Sequence, residues 1–324
     1  GQVLEMPGAT PLREAPGTLE SSRRLGWLNR DGHGVIPLDR DRRPLTPALA
    51  GYRSWGADSL PPRFVAWFGG ALAGRRITLD PDGGGDDPGG VGPGGTRASL
   101  VNLELARMLE GMLTAAGASV QITRRGDAAL SEPERVRISE AFDSERYLRI
   151  GHRSMPPAIG HYFSSPLGRR WAQRTAESME RFGLGTARVR EDALYPLQQV
   201  SCPALFVSPA RLDDSTSEAR VLAPGALRAT AYALLVALAR EWSSETAWPL
   251  DSLRVQNPAG QPLEGALVTL GGALVLATDR EGWIRFERSE AGPLEVSVQD
   301  ARLNARLVLL ESSRGAVVTG PRDH

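Results

Sequence analysis

Apolar residues recur with two different periods along the chain, and the change of period predicts two folded regions. From residue 75 to 244, short apolar runs alternate with longer stretches in which apolar residues recur every three or four positions. Strands are predicted at 76–80, 119–123, 147–150, 161–163 and 204–207, and helices begin near residues 101, 131, 167 and 224. This alternation predicts an α/β fold with a mostly parallel sheet and helices on both faces.

After residue 250 the period becomes two, as in Ala266, Val268 and Leu270. Turn signals at 257–260 and 279–282 separate the alternating runs. The region 250–320 is therefore predicted to form a small all-β sandwich. Residues 1–74 are rich in Pro, Gly and Arg with weak periodicity, and we interpret them as an irregular N-terminal arm or small subdomain.

Composition narrows the possible chemistry. The 324 residues include 38 cationic side chains, all of them Arg, and 38 acidic ones, so the formal net charge is zero. A neutral chain disfavours nucleic acid as a partner, and the absence of Lys excludes a Schiff-base or P-loop lysine. One Cys and four His exclude intramolecular disulfides and Cys-rich zinc sites, and Cys202 is expected to be buried and inert. No apolar run reaches the length of a transmembrane segment.

A series of short stretches begins with the loop-bearing run 77–89 and continues with 95–103, 116–124, 134–135, 148–150 and 202–207. In this order they resemble the zinc-dependent N-acetylmuramoyl-L-alanine amidases of the family-3 type. The resemblance covers about residues 75–242 and implies an amidase-like domain at 75–244. Residues 260–286 are similar to the carboxypeptidase regulatory-like β-sandwich, usually an accessory module.

The resemblance also implies a zinc site, and its four positions are occupied here by unsuitable residues. The family holds zinc with a His after Asp-Pro-Gly, a Glu at the first helix and a His after a strand, and a second Glu acts on the water. The corresponding residues are Gly83, Ala98, Gly151 and Ser208. We therefore interpret these four as vestigial positions and expect no catalytic residue and no cofactor.

The residues beside these four positions suggest that the former active-site cleft binds a ligand. Asp82, Arg97, Arg149, His152 and Arg153 flank the vestigial positions and are candidate ligand contacts, since Arg binds carboxylates in a bidentate manner. The alternative is that Arg149 and Arg153 simply pair with local acidic residues. Strand alternation places His152 on the face of Leu148 and Ile150, opposite to Arg149 and Gly151, so it does not replace the missing His.

An oxygen-ligated metal is the remaining possibility in the Gly-rich loop. Asp82, Asp86 and Asp87 cluster there, although Asp/Gly loops are more often turns than metal sites. His161, beside aromatic residues, is expected on a strand surface rather than as a ligand.

The leading functional hypothesis is a catalytically inactive amidase-like protein of the bacterial cell envelope, periplasmic or extracellular. It would act as a binding, scaffold or regulatory module for a peptidoglycan fragment or an envelope protein, with the N-terminal arm covering the former cleft. The alternatives are an active hydrolase that uses Asp82, Asp86 or Asp87 with His152, and a structural component of an envelope assembly.

Overall fold

The computed structural model describes most of the chain after residue 66 and three short pieces before it. The described residues are 9–11, 25–29, 35–38, 67–153, 155–223, 225–243, 248–257, 259–270, 274–288, 294–300, 303–310 and 316–319. Most of the predicted arm, including Trp55, therefore lies outside the described residues. Its described pieces are the strands β1 (Ala9–Pro11), β2 (Leu25–Asn29) and β3 (Val35–Leu38), which pair antiparallel in that order.

A six-stranded sheet forms the centre of the following region, with the order β5-β4-β6-β9-β7-β8. Its strands are β4 (Arg76–Pro81), β5 (Ser119–Ile122), β6 (Arg146–Ile150), β7 (Ala158–His161), β8 (Arg188–Glu191) and β9 (Ala204–Ser208). Every neighbouring pair is parallel except β7 and β9. This confirms the predicted mostly parallel sheet.

Helices connect the strands and cover both faces of the sheet. They are α1 (Ala98–Ala115), α2 (Glu132–Ala141), α3 (Pro166–Arg181), α4 (Tyr195–Gln199), α5 (Ser215–Val221) and α6 (Ala226–Trp242). The start of α2 follows from sequence, because Ser131 and Glu134 form a reciprocal capping box.

The two faces of β6 enter different cores, as the alternation predicts. Leu148 and Ile150 lie in the main core with side chains of α1, α3 and α6. Tyr147 packs with Phe206 of β9 and Leu197 of α4 in a smaller core. A one-residue change of register would exchange these faces, so both cores fix the position of the residues that follow β6.

The observed elements differ from the predicted ones mainly where the segments are short or polar. Strand β7 ends at His161, whereas 161–163 was the predicted strand. His161 is buried, with Nδ1 3.0 Å from the carbonyl oxygen of Tyr162, so its prediction as a surface residue was wrong. β8, α4 and α5 carry weak apolar patterns and were not predicted from the sequence.

Two small sheets follow α6, in agreement with the period of two. One has the order β13-β10-β16 and the other β12-β11-β14-β15. Their strands are β10 (Leu250–Gln256), β11 (Leu267–Leu270), β12 (Leu274–Ala277), β13 (Trp283–Glu287), β14 (Leu294–Asp300), β15 (Leu303–Leu310) and β16 (Ala316–Thr319). Side chains from both sheets, such as Val255 and Val268, are buried in the main core.

The C-terminal sheets are fixed to the α/β region by a buried charge network. The Glu287 carboxylate, fully buried, accepts 2.7 Å hydrogen bonds from Arg240 and another from Arg181. Tyr232 donates to the Glu287 carbonyl oxygen at 3.0 Å and accepts from its backbone N–H. A buried carboxylate needs such complete pairing, so the two regions share one junction.

Residues 67–74 belong to this junction as well. Trp67 stacks on Phe286 with ring centroids 6.2 Å apart, and Phe68 packs against Trp248 at 5.4 Å. The boundary predicted at residue 74 therefore lies after residues that already contribute to the core.

No single helix in the described part of the chain has the length and apolarity needed to cross a membrane. The pair α5 and α6, bent by 68°, meets these requirements together by length and composition only.

Candidate functional site

The four vestigial positions lie at the carboxyl edge of the central sheet, where ligand sites of parallel sheets form. Gly83 and Gly151 follow β4 and β6, Ser208 ends β9, and Ala98 is the first residue of α1. The fold therefore brings together the ends of three neighbouring strands and one helix, as the resemblance implies.

Gly83 has no space for a larger side chain. A Cβ added there would lie 3.0 Å from the Asp87 carbonyl oxygen and 3.0 Å from Ser99 Cβ. Its φ of +73° is also a conformation that favours glycine. A His at this position would require both the backbone and the start of α1 to move.

Gly151 is enclosed by two side chains. A Cβ added there would lie 2.7 Å from Cε2 of Phe206 and 3.0 Å from Oδ2 of Asp82. Phe206 is fully buried in β9. The ring of Phe206 and the carboxylate of Asp82 thus fill the space beside Gly151.

Asp82 accepts hydrogen bonds from two arginines at this place. Its Oδ1 lies 2.6 Å from Nη2 of Arg149, and its Oδ2 lies 3.3 Å from Nη2 of Arg153. Burial raises the pKa of Asp82, but the charge and hydrogen bond of Arg149 and the charge of Arg153 outweigh burial and hold it below its ordinary value. The carboxylate is therefore ionised and paired at neutral pH.

Arg149 is occupied on both sides of its guanidinium. Besides Asp82, it donates to Oε2 and Oε1 of Glu132 at 2.5 and 2.7 Å. Burial lowers the pKa of Arg149, yet the hydrogen bond to Glu132 and the charges of Asp80 and Asp82 raise it overall. Only 5% of this side chain is exposed, so Arg149 has little capacity for an external ligand.

Arg153 is the more accessible of the two arginines. Its guanidinium lies 4.3 Å from the centre of the Phe206 ring, and 35% of the side chain is exposed. The structure therefore joins three of the candidate contacts, Asp82, Arg149 and Arg153, in one cluster above Phe206.

His152 lies on the opposite face of the sheet and contacts α1. Its backbone N–H and its Nδ1 lie 3.0 and 2.8 Å from Oδ1 of Asn102, whose amide nitrogen donates to the Asp82 carbonyl oxygen at 3.1 Å. Because an amide oxygen only accepts, Nδ1 carries the proton and Nε2 is an acceptor. Burial lowers the pKa of His152 to about 4, so the ring is neutral at pH 7.

The Gly-rich loop between β4 and α1 is held down at its base by Arg124. This buried side chain donates to four carbonyl oxygens at 2.7–3.0 Å, those of Pro81, Asp82, Ser99 and Gly126. Four acceptors satisfy most of the guanidinium, and they tie β4, α1 and the turn after β5 together.

Arg97 lies at the outer part of this loop, away from the other candidate contacts. It forms an ion pair with Asp127 at 3.1 Å and donates to the Gly85 carbonyl oxygen at 2.6 Å. The structure gives no contact between Arg97 and the Asp82 cluster.

Glu218 of α5 fixes the far end of the loop. Its carboxylate accepts from the backbone N–H groups of Gly94 and Thr96 at 2.7 and 3.2 Å. A Cβ on Gly92 would lie only 2.4 Å from Glu218 Oε1, so a larger residue there would displace this carboxylate. No sequence signal linked this acid to a loop more than 120 residues earlier.

The chain belongs to the N-acetylmuramoyl-L-alanine amidase family, whose model matches residues 77–240. Similar solved structures include the amidase AmiC2 of Nostoc punctiforme, at 20% identity and a TM-score of 0.48, covering 51% of this chain and 96% of that one. The N-acetylmuramoyl-L-alanine amidase of Clostridium difficile 630 is 17% identical with a TM-score of 0.49, and the match covers 53% of this chain and 99% of that one. Ami1 of Mycobacterium smegmatis is 17% identical with a TM-score of 0.48, and the match covers 54% of this chain and 99% of that one. A search of curated proteins gave no match.

The residues present do not fit the zinc ion that the resemblance implies. Gly83, Ala98 and Gly151 have no side-chain donor atom, and Ser208 offers only a hydroxyl. In the described ranges there is no group of three or more His, Cys, Asp or Glu side chains able to hold a metal ion.

The aspartates proposed as an alternative metal site have other roles in the loop. Asp82 is paired with arginines, Asp87 accepts from the Gly89 N–H at 2.8 Å, and Asp86 is exposed. These contacts are those of a turn.

Two hydroxyls near the vestigial positions are buried without a partner among the described residues. They are Ser208 Oγ and Ser99 Oγ.

Cys202 is half-buried, and burial together with the charge of Glu140 raises the pKa of its thiol to about 12. Such a thiol is a poor nucleophile at neutral pH.

Proposed function

We propose that this chain is a catalytically inactive member of the amidase family that serves as a binding or scaffold module in the cell envelope. The observation that carries the proposal is the position of Asp82 and Phe206, which occupy the space beside Gly151. Metal-assisted hydrolysis needs deprotonated ligands, an open coordination position and a carboxylate base. The corresponding positions here supply none of these.

The alternative of a relocated hydrolytic site has less support. Asp82 is neutralised by Arg149 and Arg153, which lowers its basicity. His152 lies on the other face of the sheet, bound to Asn102. These two groups do not face a common substrate position, so they do not form a general acid and base pair.

We further propose that the C-terminal sheets are an accessory β-sandwich of the carboxypeptidase regulatory-like type. The burial of Glu287 against Arg181 and Arg240 supports a fixed rather than a tethered arrangement. Envelope location, periplasmic or extracellular, with a peptidoglycan fragment or an envelope protein as partner, belongs to the same proposal and rests on the family.

Elemental analysis and a sacculus digestion assay test the proposal together. The purified full chain, dialysed against zinc and then against buffer, should retain well below one zinc per chain and release no stem peptide from sacculi. An active member of the family, treated identically, is the positive control. Stoichiometric zinc with release of stem peptide would overturn the proposal.

A further inference from the structure

The edge of the central sheet opposite to the vestigial positions carries exposed apolar and cationic side chains. Strand β7 runs antiparallel to β9, with Ala158 opposite Ser208 and His161 opposite Leu205, so the chain leaves β7 at this opposite edge. A shallow depression of about 290 Å³ there is lined by Phe163, Ser164, Pro166, Arg169, Arg170 and Gln173. We name these residues, together with Leu167, the β7–α3 patch.

Two large apolar side chains of the patch face solvent. Phe163 and Ser164 are the central residues of a turn, closed by a 3.0 Å hydrogen bond from the Ser165 N–H to the Tyr162 carbonyl oxygen. Phe163 is 60% exposed, and Leu167 in the first turn of α3 is 45% exposed. The Tyr162 ring packs against the smaller core and meets Phe163 edge to face at 4.7 Å. Tyr162 thus anchors the turn, while most of the Phe163 ring stays in water.

The cationic side of the patch has more arginines than acceptors. The buried carboxylate of Glu241 accepts from Arg146 at 3.1 Å and from Arg174 at 2.8 Å. Arg170 lies 3.8 Å from the same carboxylate, beyond hydrogen-bonding distance, and half of its side chain is exposed. Three arginines therefore share one carboxylate, which leaves an excess of two positive charges.

Arg169 adds further donors to the same surface. It donates a 3.4 Å hydrogen bond to Glu191, and both side chains are more than half exposed, so this pair contributes little in water. Among the described residues Arg170 donates no hydrogen bond, although each guanidinium has five N–H donors. The acidic residues of α3, Glu177 and Glu180, lie in its second half, about two helical turns or more beyond Arg170. Most donors of the two arginines are therefore available to an anion outside the chain.

Exposed apolar side chains beside an excess of arginines match an anionic lipid surface. Cationic side chains gain from the negative potential of such a surface, and apolar ones leave water at the boundary between headgroups and acyl chains. A soluble anion would pair with the arginines but would leave Phe163 and Leu167 in water. The depression is also slightly smaller than the range of about 300–1,000 Å³ that is typical of small-molecule sites.

We infer that the β7–α3 patch holds the chain reversibly on an anionic phospholipid surface, with its two apolar side chains at the headgroup boundary and its arginines on the lipid phosphates. Because the formal net charge of the chain is zero, this binding depends on the local excess of arginines. The inference goes beyond the proposed function and applies to an active or an inactive chain. Its test involves neither zinc nor sacculi, so its failure and the failure of the proposed function are distinguishable.

Sedimentation of the full chain with sucrose-loaded vesicles tests the inference. One vesicle contains phosphatidylglycerol and phosphatidylcholine, and the other contains phosphatidylcholine alone. The chain should partition onto the anionic vesicle at least about ten-fold more strongly. Raising NaCl from about 0.1 M to about 1 M shortens the screening length from about 10 Å to about 3 Å, so it should weaken the binding by about ten-fold or more.

The double variant Arg169→Gln/Arg170→Gln measures the contribution of charge. It should weaken partitioning by about twenty-fold, since each arginine near an anionic surface contributes about five-fold. Arg125→Gln/Arg280→Gln is the matched control, because these side chains are 62% and 69% exposed and lie outside the patch. The control changes the net charge equally and should stay within about two-fold of the unaltered chain.

Phe163→Ser measures the contribution of the apolar turn. It should weaken partitioning by about ten-fold, because the ring no longer leaves water on binding. Val91→Ser is the matched control, since Val91 is 56% exposed in the loop before α1, at the other edge of the sheet. This control should partition as the unaltered chain does.

Soluble competitors separate a lipid surface from other anions. At constant ionic strength, neither glycerol phosphate nor hexaglutamate should displace the chain from anionic vesicles. Complete displacement by glycerol phosphate would assign the patch to a small phosphate compound, and complete displacement by hexaglutamate would assign it to an acidic protein. Either result would overturn the inference, as would absence of binding to anionic vesicles or equal weakening by the patch and control variants. The salt series uses the unaltered chain, so the inference stays testable if a variant does not fold.

Discussion

Asp82 Oδ1 and Arg149 Nη2 lie 2.6 Å apart at the edge of the central sheet, in the place where the family resemblance implies a metal. Arg149 comes from β6, and Asp82 follows β4, the adjacent parallel strand. Ionic contacts within the chain therefore occupy the end of the sheet. This relationship determines how the first variants should behave.

Replacing Arg149 should destabilise the fold strongly. Arg149→Met leaves the carboxylate of Asp82 without its main partner in a buried site, and breaking a buried pair in this way costs about 3–5 kcal/mol. The free energy of unfolding in urea measures the effect. Arg76→Met is the matched control, because its pair with Asp143 is exposed and should contribute about 0–1 kcal/mol. Equal effects of the two variants would contradict the structural role of Arg149.

The sequence predicted the central elements well, because their apolar periods are long and regular. It also identified Gly83 and Gly151 as positions without donors. It did not identify Phe206, which lies beside Gly151, or Glu132, which pairs with Arg149, since a short apolar strand and a capping segment carry no such signal. Contacts between separate elements depend on tertiary packing, which a single sequence does not display. His161 shows the same limit, because burial of β7 depends on its neighbours in the sheet.

Stability should fall between pH 6.5 and 4 through His152. The pKa of this ring is lowered by burial to about 4 in the folded chain, against 6.5 in the unfolded chain. The unfolded state therefore binds more protons in this range. The contribution of His152 to the free energy of unfolding is fully present above pH 6.5 and is lost as the pH falls towards 4. At about 1.4 kcal/mol per pH unit, the loss reaches about 3 kcal/mol.

Urea unfolding at pH 7, 5.5 and 4.5 measures this dependence. His152→Gln lacks the titrating ring, so it should show a flatter profile than the unaltered chain over the same interval. Parallel profiles would show that His152 is not buried in its neutral form.

Glu218 should protect the backbone amides of the loop before α1 against hydrogen exchange. Glu218→Gln removes the charge that accepts from the N–H groups of Gly94 and Thr96, and weakened hydrogen bonds open more often. Amide hydrogen exchange at these two residues should accelerate by about five-fold, because charged acceptors add roughly 1 kcal/mol over neutral ones. Asp213→Asn, an exposed acid nearby that pairs with Arg211, should leave both rates unchanged. Unchanged exchange in Glu218→Gln would show that other contacts hold the loop.

Gly151 and Phe206 should be energetically coupled. Gly151→Ala places a methyl group 2.7 Å from the Phe206 ring, and overpacking of this kind costs about 1–3 kcal/mol. Phe206→Leu alone should also destabilise, because it removes a buried ring that Arg153 covers. In the double variant the methyl group has space, so the sum of the two single effects should exceed the combined effect by at least about 0.5 kcal/mol. Gly126→Ala is the control, since a Cβ at Gly126 meets nothing within 4 Å. Strict additivity of the Gly151 and Phe206 variants would mean that the ring does not fill the space where a ligand side chain would stand.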